Sequence, residues 1–90
     1  MRGLWVADLQ ISSRTADKIQ GQHGITPHEV RDAIVCVRGL QYVWKEHPER
    51  GLRAIVHTKI RGREALLVIY PRDDRLGDSY SLGSAYFVDV

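Results

Sequence analysis

A single cysteine, Cys36, among ninety residues excludes an intramolecular disulfide framework and fits a reducing compartment such as the cytoplasm. No apolar run is long enough to span a bilayer, and residues 1–8 reach Asp8 before any signal-like stretch develops, so neither membrane insertion nor export is expected. Repeats, low-complexity tracts and linker-like segments are absent. The histidines His23, His28, His47 and His57 show no His-x-x-x-His spacing and have no cysteine pair beside them. No metal or other cofactor is therefore expected. A phosphate-binding glycine loop and a Gly-x-Ser-x-Gly elbow are also missing. Asp73 and Asp74 are adjacent in a turn, so their side chains diverge and do not make a catalytic carboxylate pair.

What is present is ordinary globular material, 43% hydrophobic and 27% charged. At this length, residues 1–90 are expected to form one domain with a small core, to whose stability a partner or self-association can add. The formal net charge is only +2, but its distribution is uneven. Residues 50–63 carry Arg50, Arg53, Lys59, Arg61 and Arg63 with no acid among them, whereas residues 73–90 carry Asp73, Asp74, Asp78 and Asp89 against Arg75.

Residues 4–11 read as a strand with Trp5, Ala7, Leu9 and Ile11 on one face. Ser12, Ser13 and Thr15 are candidate N-caps for a short helix that Gly24 ends, with Ala16 and Ile19 inward. A second helix has Thr26 at its N-cap, Pro27 at its first position and Glu29 completing a capping box. Its apolar face is Val30, Ala33, Ile34 and Val37, and Gly39 is placed as its C-cap; Cys36 reads as inert packing on this helix.

Beyond Gly39 the period changes to alternation. Leu40, Tyr42 and Trp44 oppose Gln41, Val43 and Lys45, and residues 47–51 make a turn. Leu52, Ala54, Val56, Thr58 and Ile60 then oppose Arg53, Ile55, His57, Lys59 and Arg61. Arg61-Gly62-Arg63 reads as a hairpin turn, residues 66–70 as a central strand apolar on both faces, and residues 79–88 as a last strand with Tyr80, Leu82, Ser84, Tyr86 and Val88 on one side. The expected fold class is α+β: a strand, two short helices and an antiparallel meander, with the helices covering one face of the sheet.

With the apolar side of residues 52–60 under the helices, Arg53, His57, Lys59 and Arg61 point from the other face. Basic side chains two residues apart lie about 7 Å apart along a strand, a spacing suited to phosphates. The same array also reads as an exposed strand supplied with cations for solubility and edge protection. Tyr42, Tyr70, Tyr80 and Tyr86 either stack on bases or fill core volume; Tyr42 and Tyr70 read as core, and Tyr80 with Tyr86 as the functional pair. His57, between Arg53 and Lys59, is the one histidine whose neighbours suggest proton transfer, beside the plainer reading of a surface histidine.

The string His23-Gly24-Ile25-Thr26-Pro27-His28-Glu29, continuing to Ile34, resembles the helix junction of BrnT-type toxins, which belong to the RelE/ParE-like superfamily. An arginine-led strand from Arg53, the Gly62-Arg63 hairpin, Leu67-Val68-Ile69-Tyr70 and a strand from Tyr80 extend the similarity over roughly residues 10–88. The resemblance implies a RelE/ParE-like fold and a toxin that cleaves messenger RNA without metal, covered by a cognate antitoxin. On the nuclease reading Arg53, His57, Lys59, Tyr80 and Tyr86 are the catalytic candidates, and Arg50, Arg61 and Arg63 the RNA-binding ones. The similarity departs at the last strand: BrnT-like sequences are basic there, whereas Ser81-Leu82-Gly83-Ser84-Ala85-Tyr86 has no Arg or Lys. That departure raises a second reading, a catalytically inactive binding module on the same fold. A third is self-association through the strand holding Tyr42 and Trp44.

Overall fold

The computed structural model describes residues 3–72 and 77–88; the Asp73-Asp74 turn lies outside them. The chain runs β1 (Asp8–Gln10), α1 (Ser13–His23), α2 (Pro27–Ile34), β2 (Gln41–His47), β3 (Gly51–Ile60), β4 (Arg63–Pro71) and β5 (Ser79–Phe87). The strands form one five-stranded sheet in the order β1-β5-β4-β3-β2. The last four strands make the expected antiparallel meander. The sheet as a whole is mixed, however, because β1 pairs parallel to β5. The two helices carry the chain from β1 to β2 at the far edge, and the meander returns it beside β1 running the same way.

The helix starts follow their caps. Ser12 accepts from the Thr15 N–H at 3.1 Å, and Gly24 closes α1 at φ 67°. Thr26 and Glu29 form the reciprocal capping box with Pro27 at the first turn. α2 nevertheless ends at Ile34, well before Gly39. Val35 leaves the helix to bridge Val6, and the Cys36 N–H donates to the Val6 carbonyl at 2.8 Å. Cys36 is therefore exposed beyond the helix, at φ 57°, and is not packing on it.

The first segment is also not one alternating strand. Leu4, Val6 and Leu9 are buried, and a bend at Ala7 separates them, its N–H and that of Asp8 both donating to the Asp78 carbonyl. Ala7 is exposed and does not share Leu9's face. Ile19 from α1, Val30 and Ile34 from α2, and Val56, Leu67, Ile69, Leu82 and Ala85 from the sheet close one core on one side of the sheet. Among the described residues no helix is long and apolar enough to cross a membrane.

Candidate nucleic-acid interface

Strand alternation fixes what the uncovered sheet face displays. Since Ala54, Val56 and Ile60 are in the core, Arg53, Ile55, His57 and Lys59 face away from it. Register aligns these residues into rows. Val43, Ile55, Val68 and Ser84 stand side by side across β2 to β5, and Gln41, His57, Leu66 and Tyr86 form the next row. The centre of this face is apolar enough that Val68 is only 7% exposed although it lies outside the core cluster. At one end Lys59 and Glu64 make an exposed pair at 3.9 Å. At the other, Lys45 lies opposite Arg53, and the pairing of Ala54 with Ile69 brings Arg53 beside Tyr70 one step further on.

This last end is where cations gather. His47 Nδ1 accepts from the N–H groups of Glu49 and Arg50, at 3.1 and 3.2 Å, and so shapes the β2–β3 turn. That turn holds the Arg50 guanidinium 5.8 Å from the centre of the Tyr70 ring. A cleft of about 500 Å³ opens beside them, lined by Arg14, Thr15 and Lys18 of α1, Arg50, Tyr70 and residues 81–83. Lys18 Nζ donates to the Gly83 carbonyl at 3.1 Å, and Arg72 donates to the Ser81 hydroxyl at 3.2 Å. Among the described residues no acid lies within ion-pairing distance of Arg14, Lys18, Arg50 or Arg53. The Arg53 Nε is buried without a hydrogen-bond partner among those residues, a donor whose satisfaction is worth about 1–3 kcal/mol.

Gly83 makes this geometry possible. The β4–β5 register shifts between Val68 and Ile69, leaving Gly83 as the extra residue of a bulge. A Cβ on Gly83 would overlap the Tyr70 ring. The bulge also reverses the alternation of β5, so Tyr80 and Tyr86 do not share a face as expected. Tyr80 is 5% exposed in the core, where burial, reinforced by the Asp78 carboxylate and Tyr42, pushes its phenol above the usual tyrosine range. Tyr86 faces the other way, beside Leu66, with its ring 6.1 Å from that of His23 at the end of α1.

The other expected site residues separate as well. Arg61 and Gly62 both have positive φ, 53° and 74°, as a tight hairpin turn demands. Alternation therefore stops at Ile60, and Arg61 does not continue the Arg53 face. It turns to the helices, pairing through Nε with Glu29 at 2.8 Å and donating from Nη2 to the Gly24 carbonyl at 2.7 Å. Arg63 lies 3.9 Å from the centre of the Phe87 ring, which packs against the core. His57 and Lys59 remain on the open face, but His57 is four residues from Arg53, about 13 Å along a strand.

The structure thus brings together Arg50 and Arg53 from the expected set and adds Arg14, Lys18 and Tyr70. The helical cations had no local signal beyond their own charge, because only packing places α1 against the bulge. Among the described residues no three histidine, cysteine or acidic side chains are grouped so as to hold a metal ion. Comparison of the chain with family models, curated proteins and solved structures gave no significant match.

Proposed function

We propose that this domain is an RNA-binding, metal-independent endoribonuclease, the toxin half of a toxin–antitoxin pair, working at the cleft between α1 and the end of β4 and β5. The observation that carries the reading is that Arg14, Lys18, Arg50 and Tyr70 line one cleft, that strand register sets Arg53 beside Tyr70, and that no acid among the described residues joins them. Such a cleft attracts a polyanion, and a tyrosine ring beside cations can stack on an unpaired base. The order strand, helix, helix, four strands, with both helices on one face, agrees with the RelE/ParE-like similarity of residues 23–34 and the strands that follow.

In the reaction the ribose 2′-hydroxyl gives up its proton to water as its oxygen attacks the adjacent phosphorus. The bond to the 5′-oxygen breaks, and that oxygen takes a proton from water, leaving a 2′,3′-cyclic phosphate and a 5′-hydroxyl. Arg50 and Arg53 neutralise the charge that grows on the phosphorane, while the Tyr70 hydroxyl hydrogen-bonds the departing oxygen. Arg14 and Lys18 hold the flanking phosphates and supply from α1 the positive charge that the last strand lacks. His57 is too far along β3 to act on the same phosphate, and Arg61, Arg63 and Tyr80 support the fold.

Incubation of the protein with RNA in EDTA, beside an Arg50→Ala/Arg53→Ala variant, tests this. Cleavage to cyclic-phosphate ends, reduced about 100-fold or more in the variant, is the expected result. Equal degradation by both proteins, or none by either, sinks the nuclease assignment. One observation favours the second reading, a non-cleaving binding module on this fold: among the described residues no histidine or acid lines the cleft. Retention of RNA by the wild type but not the variant, with no cleavage by either, would establish that alternative.

A further inference from the structure

The two edges of the sheet are managed differently. At one edge β1 covers only three residues of β5, but α1 packs over the remainder, with Lys18 on Gly83 and His23 against Tyr86. At the other edge β2 offers seven residues in regular pairing with β3 and, among the described residues, no strand on its outer side. The large apolar residues that stand exposed among the described residues, Val43 at 54%, Trp44 at 43% and Leu52 at 47%, are all in this β2–β3 hairpin. They lie on both faces of it: Val43 shares the open face with Ile55, whereas Trp44 and Leu52 point to the helix side. A helix laid on one face covers only one of these sets. A strand added to the edge flanks both and satisfies the outward N–H and C=O groups.

We propose that the occupant is β2 of a second copy, paired antiparallel about a two-fold axis through Trp44, so that two sheets join into one. In this register Trp44 faces Trp44, Val43 of one protomer lies opposite Lys45 of its partner, Tyr42 opposite Glu46, and Gln41 opposite His47. All seven residues of β2 then pair. No like charges oppose one another. Centring the pair on Lys45 instead sets lysine against lysine and leaves Gln41 and Tyr42 without a strand partner. Centring it on Val43 loses His47 and Glu46 at the other end. Because paired positions have the same parity, outward backbone groups meet outward groups and the two open faces lie on the same side. Both cationic clefts then look out from one surface, a consequence that rests on the RNA reading; the dimer itself does not.

Sedimentation equilibrium between about 1 and 200 µM should show the mass rising from 10.3 kDa toward twice that value. Val43→Lys places lysine opposite Lys45 at two symmetric positions and should weaken the dimer roughly tenfold, while Val43→Glu should tighten it by a similar factor. Adding Lys45→Glu to Val43→Lys should restore pairing. Val43 is exposed, so circular dichroism should report an unchanged fold in each variant. In a Cys36→Ser background, Trp44→Cys should crosslink to its own copy on oxidation. A monomer throughout the range overturns the proposal. So does a dimer indifferent to the charge at residue 43, or one that fails to crosslink through residue 44. RNA binding by the monomeric Val43→Lys variant would leave the cleft reading intact, so the two proposals fail separately.

Discussion

Tyr70 and Tyr80 are ten residues apart on neighbouring strands, yet they meet different surroundings. Tyr80 lies under the helices with Leu82 and Leu9, and desolvation holds its phenol neutral above the usual range. Tyr70 is half-buried beside Arg50, and its ring occupies the space that Gly83 leaves open. The two phenylalanine substitutions should therefore separate. Tyr70→Phe keeps the stacking ring but removes the hydroxyl, so RNA binding should persist while cleavage falls at least about tenfold. Tyr80→Phe should leave both unchanged, as measured by filter binding and single-turnover cleavage. A cleavage defect in Tyr80→Phe equal to that in Tyr70→Phe would move the site to the helix-covered face.

At the scale of elements, the α1–α2 junction and the β3–β4 hairpin hold each other through Glu29. Its carboxylate accepts from the Thr26 N–H at 3.0 Å and from the Thr26 hydroxyl at 3.1 Å, and it pairs with Arg61. The Thr26 backbone hydrogen bond is the main cause of its lowered pKa, with the Thr26 hydroxyl and Arg61 adding to it against partial burial. A carboxyl lowered on folding contributes stability that is complete above its unfolded pKa, about 4.3, and is lost as pH falls through the folded value. The urea midpoint of Glu29→Gln should therefore differ from wild type at neutral pH and approach it as the solution is acidified below that range. Removing the hairpin's half of the contact with Arg61→Ala should lower the urea midpoint at neutral pH only modestly, because the pair is partly exposed. RNA affinity should be unchanged, since Arg61 is turned away from the cleft.

For the whole molecule, a net charge of +2 is a poor guide to polyanion binding. On the RNA reading what matters is that cations from α1, the β2–β3 turn and β3, without an acid partner among the described residues, reach one end of the open face. Four cations meeting four phosphates of a single strand should give a log–log salt slope near −3, from about −0.7 per contact. Titrating labelled single-stranded RNA at several salt concentrations measures it. A slope near zero would mean that the cleft is not electrostatically engaged. The Arg14→Ala/Lys18→Ala variant should lower the slope by about half while leaving β3 untouched.

Thr26, Pro27 and Glu29 announced the start of α2, and Gly24 the end of α1, because capping is satisfied within a few residues of chain. The alternation of residues 52–60 likewise revealed which side of β3 is buried, and the apolar run before Tyr70 marked β4 as central. Such local rules fail where a neighbouring element sets the conformation. Val35 leaves its helix for a bridge to Val6, Arg61 enters a positive-φ turn and swings to Glu29, and the bulge at Gly83 reverses the face of everything after it. The missing basic residues of the last strand read from the sequence as a gap. In the folded chain α1 lays Arg14 and Lys18 beside that strand. The chain's own sequence determined the elements and the positive charge of residues 50–63, but only tertiary packing decided which cations share a cleft, because that depends on which side of each strand survives its turns and bulges.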